Sequence, residues 1–174
     1  MGIRVSERVL RAITDHPTRH YLHHYKTINY LLDHIALKIT LAIESMGSQA
    51  LPIPASQIID WDKQTAHLSH KMIALRAGIG WIGRNNLLVH PNYGAKIRLV
   101  TVLTDLPLIE NKMVEGGCGE CRKCIEICPA RALKESHKDY DKDACLDKLK
   151  YFSKTYGIGQ YICGLCVKVC DAGR

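Results

Sequence analysis

The residues with the most specific chemistry are eight cysteines, all of which lie beyond residue 117 of the 174-residue chain. Four of them, Cys118, Cys121, Cys124 and Cys128, follow the pattern Cys-x-x-Cys-x-x-Cys-x-x-x-Cys-Pro. In this pattern the first three thiolates reach one 4Fe-4S cluster and the fourth ligates a second cluster. Neighbouring glycines have no Cβ to obstruct the approach of the backbone. The spacing therefore predicts iron–sulfur chemistry.

The last part of the chain repeats this pattern imperfectly. It contains Cys-x-x-Cys-x-x-x-Cys without a leading cysteine, and the isolated Cys145 is the only cysteine left to replace it. We therefore predict two 4Fe-4S clusters that exchange one ligand. The first would bind Cys118, Cys121, Cys124 and Cys170, and the second Cys128, Cys145, Cys163 and Cys166. Asp171 stands where the repeat would place proline.

Two other uses of the cysteines stay open. Two structural zinc sites with four cysteines each would also use Cys-x-x-Cys pairs, although such sites rarely contain three cysteines in series followed by Cys-Pro. Disulfides are the other use, and they are rare in a reducing cytosol. The pattern favours iron–sulfur clusters over both.

The elements that must position these cysteines begin with a long helix after Thr18. Apolar residues recur along it at steps of three and four, which places them on one helical face, and Gly47 follows as a stop. This stripe consists of Tyr21, Tyr25, Ile28, Leu32, Ile35, Ile39, Ala42 and Met46. Ser6 is expected to begin a shorter helix that ends before Pro17.

The middle of the chain predicts a second helix and a small sheet. Two prolines make residues 50–54 extended and confine them to a sheet edge. Residues 63–77 are expected to form the helix, and the β-rich runs 86–89 and 96–104 to form a hairpin joined by residues 90–94. The composition changes near residue 111. We therefore predict an α+β chain with a helix-and-sheet domain at 1–110 and a bacterial-ferredoxin-like double-cluster domain at 111–174.

The net charge of +7 raises the question of a nucleic-acid or other anionic partner. The excess is spread evenly, with +4 in residues 1–110 and +3 in residues 111–174, and no long basic run is present. Nucleic acid is therefore an unlikely partner. No segment approaches the ~20 apolar residues of a membrane span, and the first residues do not form a secretory signal. We expect a cytoplasmic protein with no membrane contact.

A glycine-rich loop, Ala77-Gly-Ile-Gly-Trp-Ile-Gly83, precedes the cysteine region. By itself the loop could be a connector with Trp81 in the core. Three further segments follow it, namely Asn86-Leu-Leu-Val89, Leu103-Thr-Asp-Leu-Pro-Leu108 and Gly117-Cys-Gly-Glu-Cys-Arg-Lys-Cys124. In this order the four segments resemble the epoxyqueuosine reductases, which are similar to cobalamin-dependent reductive dehalogenases. The resemblance runs from about Tyr21 to Cys170.

This resemblance implies a cofactor arrangement for the whole chain. Two 4Fe-4S clusters would pass single electrons to a cobalamin held by the upstream domain, which would be the remnant of a nitroreductase-like fold. The loop at the corrin side would contribute Ala77, Gly78, Gly80, Trp81 and Gly83.

The resemblance also implies a catalytic aspartate ahead of the glycine-rich loop. Asp60, with Asp62 as its neighbour, fits the local pattern of a general acid if four residues are inserted, whereas an ungapped count places Gln64 there. The alternative is a solvated carboxylate in a turn. Relative to the family, the chain starts several dozen residues late and lacks the C-terminal region associated with tRNA.

Two functions follow from these observations. The first is an iron–sulfur oxidoreductase that receives electrons from a donor protein and acts on a small-molecule or nucleoside-like substrate. The alternative is a non-catalytic, ferredoxin-type electron carrier whose upstream domain docks partners. In either case the long helix needs more apolar cover than a small sheet supplies, so we expect a homodimer, or an obligate partner chain, with this helix or the neighbouring strand edge at the interface.

Overall fold

The computed structural model describes residues 1–61 and 64–172 as a mixture of short helices and paired strands around one long helix. The helices are α1 (Glu7–Arg11), α2 (Arg19–Ser45), α3 (His70–Arg76), α4 (Lys123–Glu126), α5 (Lys142–Thr155) and α6 (Leu165–Lys168). The strands are β1 (Gly2–Arg4), β2 (Ala50–Ile53), β3 (Trp81–Ile82), β4 (Leu88–Val89), β5 (Ile97–Leu99) and β6 (Thr101–Thr104). This architecture agrees with the predicted α+β class.

Helix α2 begins and ends where the sequence predicts. The Thr18 hydroxyl accepts a hydrogen bond from the Tyr21 N–H at 3.0 Å and so satisfies one of the unpaired donors of the first turn. Beyond the last turn, Gly47 has a φ of +86°, a conformation that glycine adopts without the strain of a Cβ. The predicted bounds of this helix are confirmed.

The buried face of α2 follows the predicted stripe only in its first half. Tyr21, Ile28 and Leu32 are buried, as expected. In the second half Ala36 and Ile43 are buried instead, and Met46 is exposed. The predicted stripe is wrong there because the helix packs against β2 and β6, whose position selects a face one residue away from the one chosen by apolar spacing.

The strands form three antiparallel pairs, β1 with β5, β2 with β6, and β3 with β4. Strand β2 has no second partner in the described residues, which agrees with its predicted place at an edge. The predicted hairpin between residues 86–89 and 96–104 is wrong. The second run divides at Val100, whose N–H donates to the Met1 carbonyl at 3.0 Å, and the N-terminal strand β1 pairs with β5.

The second predicted helix is shorter than residues 63–77. Helix α3 starts at His70, with Ser69 at its N-terminal cap position. Ahead of it, Asp60 and Thr65 pair through their backbones in an isolated bridge. This bridge commits the N–H and carbonyl groups of that turn to a loop, so the earlier start is a wrong prediction. Residues 62 and 63 lie outside the described part.

A single buried cluster joins the two predicted domains. On the upstream side it contains Leu10 and Ile13, both fully buried, and on the other side it contains Ile158, Ile162 and Leu165. Helices α1 and α6 are in contact within it. The cysteine region therefore folds against the N-terminal helices, and neither part buries its apolar residues alone. Among the described residues no helix has the length and apolar character needed to cross a membrane.

Because this core is shared, damage at α1 should reach the cysteine region. Leu10→Ala removes a fully buried side chain and should lower the free energy of unfolding by about 2–5 kcal/mol. Unfolding in urea, followed by circular dichroism on the iron-loaded protein, measures the change. Leu108→Ala, at a position 67% exposed after β6, is the matched control and should have almost no effect. Equal effects of the two substitutions would contradict the shared core.

Candidate iron–sulfur centre

Four cysteines from two distant stretches surround a first cavity. Cys118 and Cys121 come from the loop before α4, Cys124 lies within that helix, and Cys170 follows α6. Burial and the charges of the other three thiols raise the pKa of Cys124, so the four thiols lie close enough to interact electrostatically. The structure therefore brings together the four ligands predicted for the first cluster.

The other four cysteines line a second cavity on the far side of α4. Cys128 lies just after α4, Cys145 is in the first turn of α5, and Cys163 and Cys166 flank the start of α6. Cys163 interacts electrostatically with Cys145 and Cys128, although they come from separate segments. This grouping has the composition predicted for the second cluster, and the assignment of ligands remains a prediction.

The thiols in both cavities are free, and their protonation decides how a cationic centre would bind. All eight are free of disulfides. Burial, reinforced by neighbouring thiols, raises the pKa of Cys124 and of Cys163 to about 11. Without a cation these groups stay protonated at neutral pH, so loading of metal must release protons and should be favoured by alkaline pH. Among the described residues, no three His, Cys, Asp or Glu side chains converge closely enough to hold one ion.

Arg84 holds the loop of the first cavity in place, a role that sequence reasoning missed. Its guanidinium donates to the carbonyls of Gly119 at 2.9 Å and Cys121 at 3.0 Å. It also pairs with the Glu135 carboxylate at 3.2 Å. One arginine therefore donates hydrogen bonds to two loop carbonyls that have no partner within a helix or a strand. The only sequence signal was its position directly after the glycine-rich loop.

The substitution of Asp171 for the expected proline creates an ion-pair network beside Cys170. Its carboxylate pairs with Lys96 at 2.6 Å and with Lys123 at 3.4 Å. Lys96 is buried and also pairs with Glu7 at 3.0 Å. Since a buried ammonium needs such partners, this network connects α1, the turn before β5 and the end of the cysteine region.

A tight turn from the upstream part lies directly on the last ligand. Gly94 has a φ of +61°, and a Cβ at this position would meet the Cys170 carbonyl oxygen at 2.0 Å. Only glycine allows the two backbones to approach so closely. The turn at residues 90–94, which the sequence predicted as the end of a hairpin, instead positions Cys170.

The glycine-rich loop packs against protein rather than opening into a cleft. A Cβ at Gly78 would meet the Lys112 carbonyl oxygen at 2.3 Å, and one at Gly80 would meet that of Val89 at 2.0 Å. The Trp81 ring fills the space over Gly116, where a Cβ would lie 2.4 Å from it. Chain contacts therefore account for these glycines without a corrin.

The remaining two residues of the glycine-rich loop are Ala77 and Gly83. Ala77 ends α3 and is exposed. A Cβ at Gly83 would lie 2.6 Å from the Val89 side chain and 3.5 Å from the Cys118 sulfur. Gly83 thus lies beside the first cavity. The proposed role of the five loop residues in binding cobalamin remains a prediction that these contacts do not favour.

Asp60 lies in a loop near the second cavity. It is half-buried, and its neighbour Trp61 packs edge-on against Tyr161 with ring centroids 6.2 Å apart. Tyr161 lines the cavity that contains Cys163. Asp60 is therefore connected to the second cavity through Trp61 and Tyr161 and is not itself among the residues that line it. Asp62 lies outside the described residues.

Comparison with known proteins agrees with this geometry. Residues 117–173 match the family described as a 4Fe-4S double cluster binding domain. An epoxyqueuosine reductase of Bacillus cereus is 32% identical over 154 residues, which are 81% of this chain and 38% of the relative. The chain therefore spans about two-fifths of the length of that relative.

Solved structures extend the comparison to the fold. The epoxyqueuosine reductase of Streptococcus thermophilus matches 83% of this chain and 39% of its own, with 25% identity and a TM-score of 0.63. The match to a catabolic reductive dehalogenase covers 100% of this chain and 25% of the dehalogenase chain, with 20% identity and a TM-score of 0.77. The latter likeness concerns the fold alone.

One further match bears on nucleic acid. An epoxyqueuosine reductase solved with a stem loop of tRNA-Tyr matches 82% of this chain and 39% of its own, with 24% identity and a TM-score of 0.60. The expectation that nucleic acid is an unlikely partner is therefore not supported. Residues 117–173 therefore carry a 4Fe-4S double cluster binding domain, and most of the chain is similar to epoxyqueuosine reductases.

Proposed function

We propose that this chain is an iron–sulfur oxidoreductase in which two 4Fe-4S clusters pass single electrons to an upstream cofactor or substrate. The observation that carries the proposal is the division of eight cysteines into two cavities of four thiols each. When bound, each cluster would accept and release one electron. The similarity to epoxyqueuosine reductases supports the same class of reaction.

The path between the two centres would run through α4 and α6. Cys124 of the first cavity and Cys128 of the second are four residues apart, and so are Cys170 and Cys166. The two helices are in contact. One helical turn therefore separates ligands of different clusters, and the two centres would be adjacent enough to exchange electrons within the protein.

The site of reduction would lie toward the upstream part. Asp60 is the proposed proton donor, and a small-molecule or nucleoside-like compound, including a nucleoside within tRNA, is the proposed substrate. Cobalamin and an origin of residues 1–110 in a nitroreductase-like domain remain proposals that rest on family resemblance. Cobalamin, if bound, would supply a metal centre that accepts electrons one at a time. A separate donor protein would supply the electrons.

The contacts of the glycine-rich loop favour a second candidate, a non-catalytic electron carrier. Chain atoms fill the space around Gly78 and Gly80, so the loop presents no open cradle for a corrin. Protein purified without oxygen distinguishes the two functions, because an enzyme of the first type should retain added cobalamin or flavin on gel filtration. A carrier should bind clusters alone.

The apolar outer face of α2 supports the proposal of a homodimer. This helix is about 40 Å long, whereas β2 and β6, the strands it packs on, have four residues each. Its outward side carries large apolar residues that remain exposed, namely Tyr30, Leu31, Leu37, Leu41 and Met46. A second copy of the chain would cover this face.

Iron analysis tests the proposed function directly. Anaerobically reconstituted protein should contain about eight irons and eight acid-labile sulfides per chain, because two cubes of four irons use all eight cysteines. Colorimetric iron and sulfide assays, together with the visible charge-transfer absorption, measure this. Stoichiometric zinc without visible absorption would instead establish the zinc alternative.

Exchange of ligands between the two runs gives a second test. Cys170→Ala should damage the cluster bound by Cys118, Cys121 and Cys124, and Cys128→Ala should damage the cluster bound by Cys163 and Cys166. Each variant should keep about four irons, with distinct electron paramagnetic resonance spectra after reduction. If Cys170→Ala abolished the spectrum of the cluster that also depends on Cys166, the assignment would be wrong.

The dimer proposal is tested on α2. Replacing Leu37 and Leu41 by Glu places two charges on the exposed face and should convert a dimer into a monomer in sedimentation experiments at micromolar concentration. Lys154→Glu, at an exposed position of α5, is the control and should stay dimeric. A monomeric unmodified protein would exclude the proposal.

A further inference from the structure

The two cavities differ in the charges that surround their thiols. In the first, every cation has a carboxylate partner: Arg84 pairs with Glu135, and Lys123 pairs with Asp171. Asp171 itself lines that cavity. The environment of the first cluster is therefore close to neutral, and it includes one carboxylate next to a ligand.

The second cavity is lined by cations without such partners. Arg98 donates to the Asn29 side-chain oxygen at 3.0 Å and to the Tyr25 hydroxyl at 3.1 Å, and its guanidinium lies 4.2 Å from the centre of the Tyr25 ring. Lys148 lines the same cavity. Within residues 1–61 and 64–172, neither cation has a carboxylate at ion-pair distance, and no carboxylate lines this cavity. Asp141, at the N-terminal cap of α5, lies outside the lining but close enough to raise the pKa of Cys145.

Two phenols add hydrogen-bonding capacity on the same side. Tyr140, half-buried, lines this cavity together with Cys145, and its O–H is close enough to donate to the Cys145 sulfur. The buried Tyr21 ring lies against the backbone between Cys163 and Cys166, since a Cβ at Gly164 would be 2.8 Å from it. Hydrogen bonds to ligand sulfurs and nearby positive charge both stabilise the reduced form of an iron–sulfur cluster, which carries one more negative charge.

Building on the proposed function, we infer that Tyr140 and Arg98 make the second cluster the more easily reduced of the two. One electron from a low-potential donor converts a 4Fe-4S core from the 2+ to the 1+ state without forming or breaking a bond. An electron that enters at the first cluster would then move to the second. Tyr161, which lines that cavity, contacts Trp61 of the upstream part, so the asymmetry gives electron flow a direction toward the upstream segment that contains Asp60.

A redox titration of the reconstituted protein with dithionite, followed by electron paramagnetic resonance, tests this inference. Tyr140→Phe removes one hydroxyl, and Arg98→Gln removes one charge. Each should shift the higher of the two reduction transitions to more negative potential and leave the lower one unmoved. Arg98→Lys should restore the higher transition. Asp171→Asn, at the first cavity, should raise the lower transition alone.

Tyr30→Phe changes an exposed phenol of α2 and should move neither transition. The inference is overturned if Tyr140→Phe and Arg98→Gln bind eight irons and leave both transitions in place, or if they move the lower one. Failure of the unmodified protein to bind eight irons would instead overturn the proposed function and the inference with it. Iron content and potential therefore separate the two failures.

Discussion

Convergence of four thiols from distant stretches of the chain around each cavity is the constraint on which the rest of this structure depends. Helices α4 and α6 are only four residues long, too short to be stable alone. Each contains a cysteine of one cavity and is followed by a cysteine of the other, and the two helices pack on each other. The proposed exchange of ligands would tie residues 118–128 to residues 163–170, and loading of metal would then be coupled to folding of this region.

The upstream part serves as a scaffold for these thiols. Arg84 holds the carbonyls of the first loop, and Gly94 lets a turn lie on Cys170. The shared core joins α1 to α6 from beneath. These contacts explain why a region of mixed helix and sheet precedes a cysteine pattern that small electron carriers use alone: it fixes the ligands and brings the loop of Asp60 to one side of them.

The two cavities differ in the charged side chains that surround them. The network of Asp171, Lys96 and Glu7 neutralises the surroundings of the first cavity, whereas Arg98 has only neutral partners among the described residues. Since each added electron makes a cluster more negative, unpaired positive charge nearby favours its reduction. Under the proposed function, this difference in charge would give electron transfer between the two centres a direction.

The sequence alone determined the features whose chemistry is local. Cysteine spacing predicts the ligand sets, Thr18 and Gly47 predict both ends of α2, and two prolines predict the edge position of β2. Tertiary structure decided the features that depend on distant partners. Strand β1 pairs with β5 and so prevents the predicted hairpin, and β2 and β6 select which face of α2 is buried. The close approaches at Gly80 and Gly94 were invisible in the sequence for the same reason, because the atoms that require a missing Cβ belong to other segments of the chain.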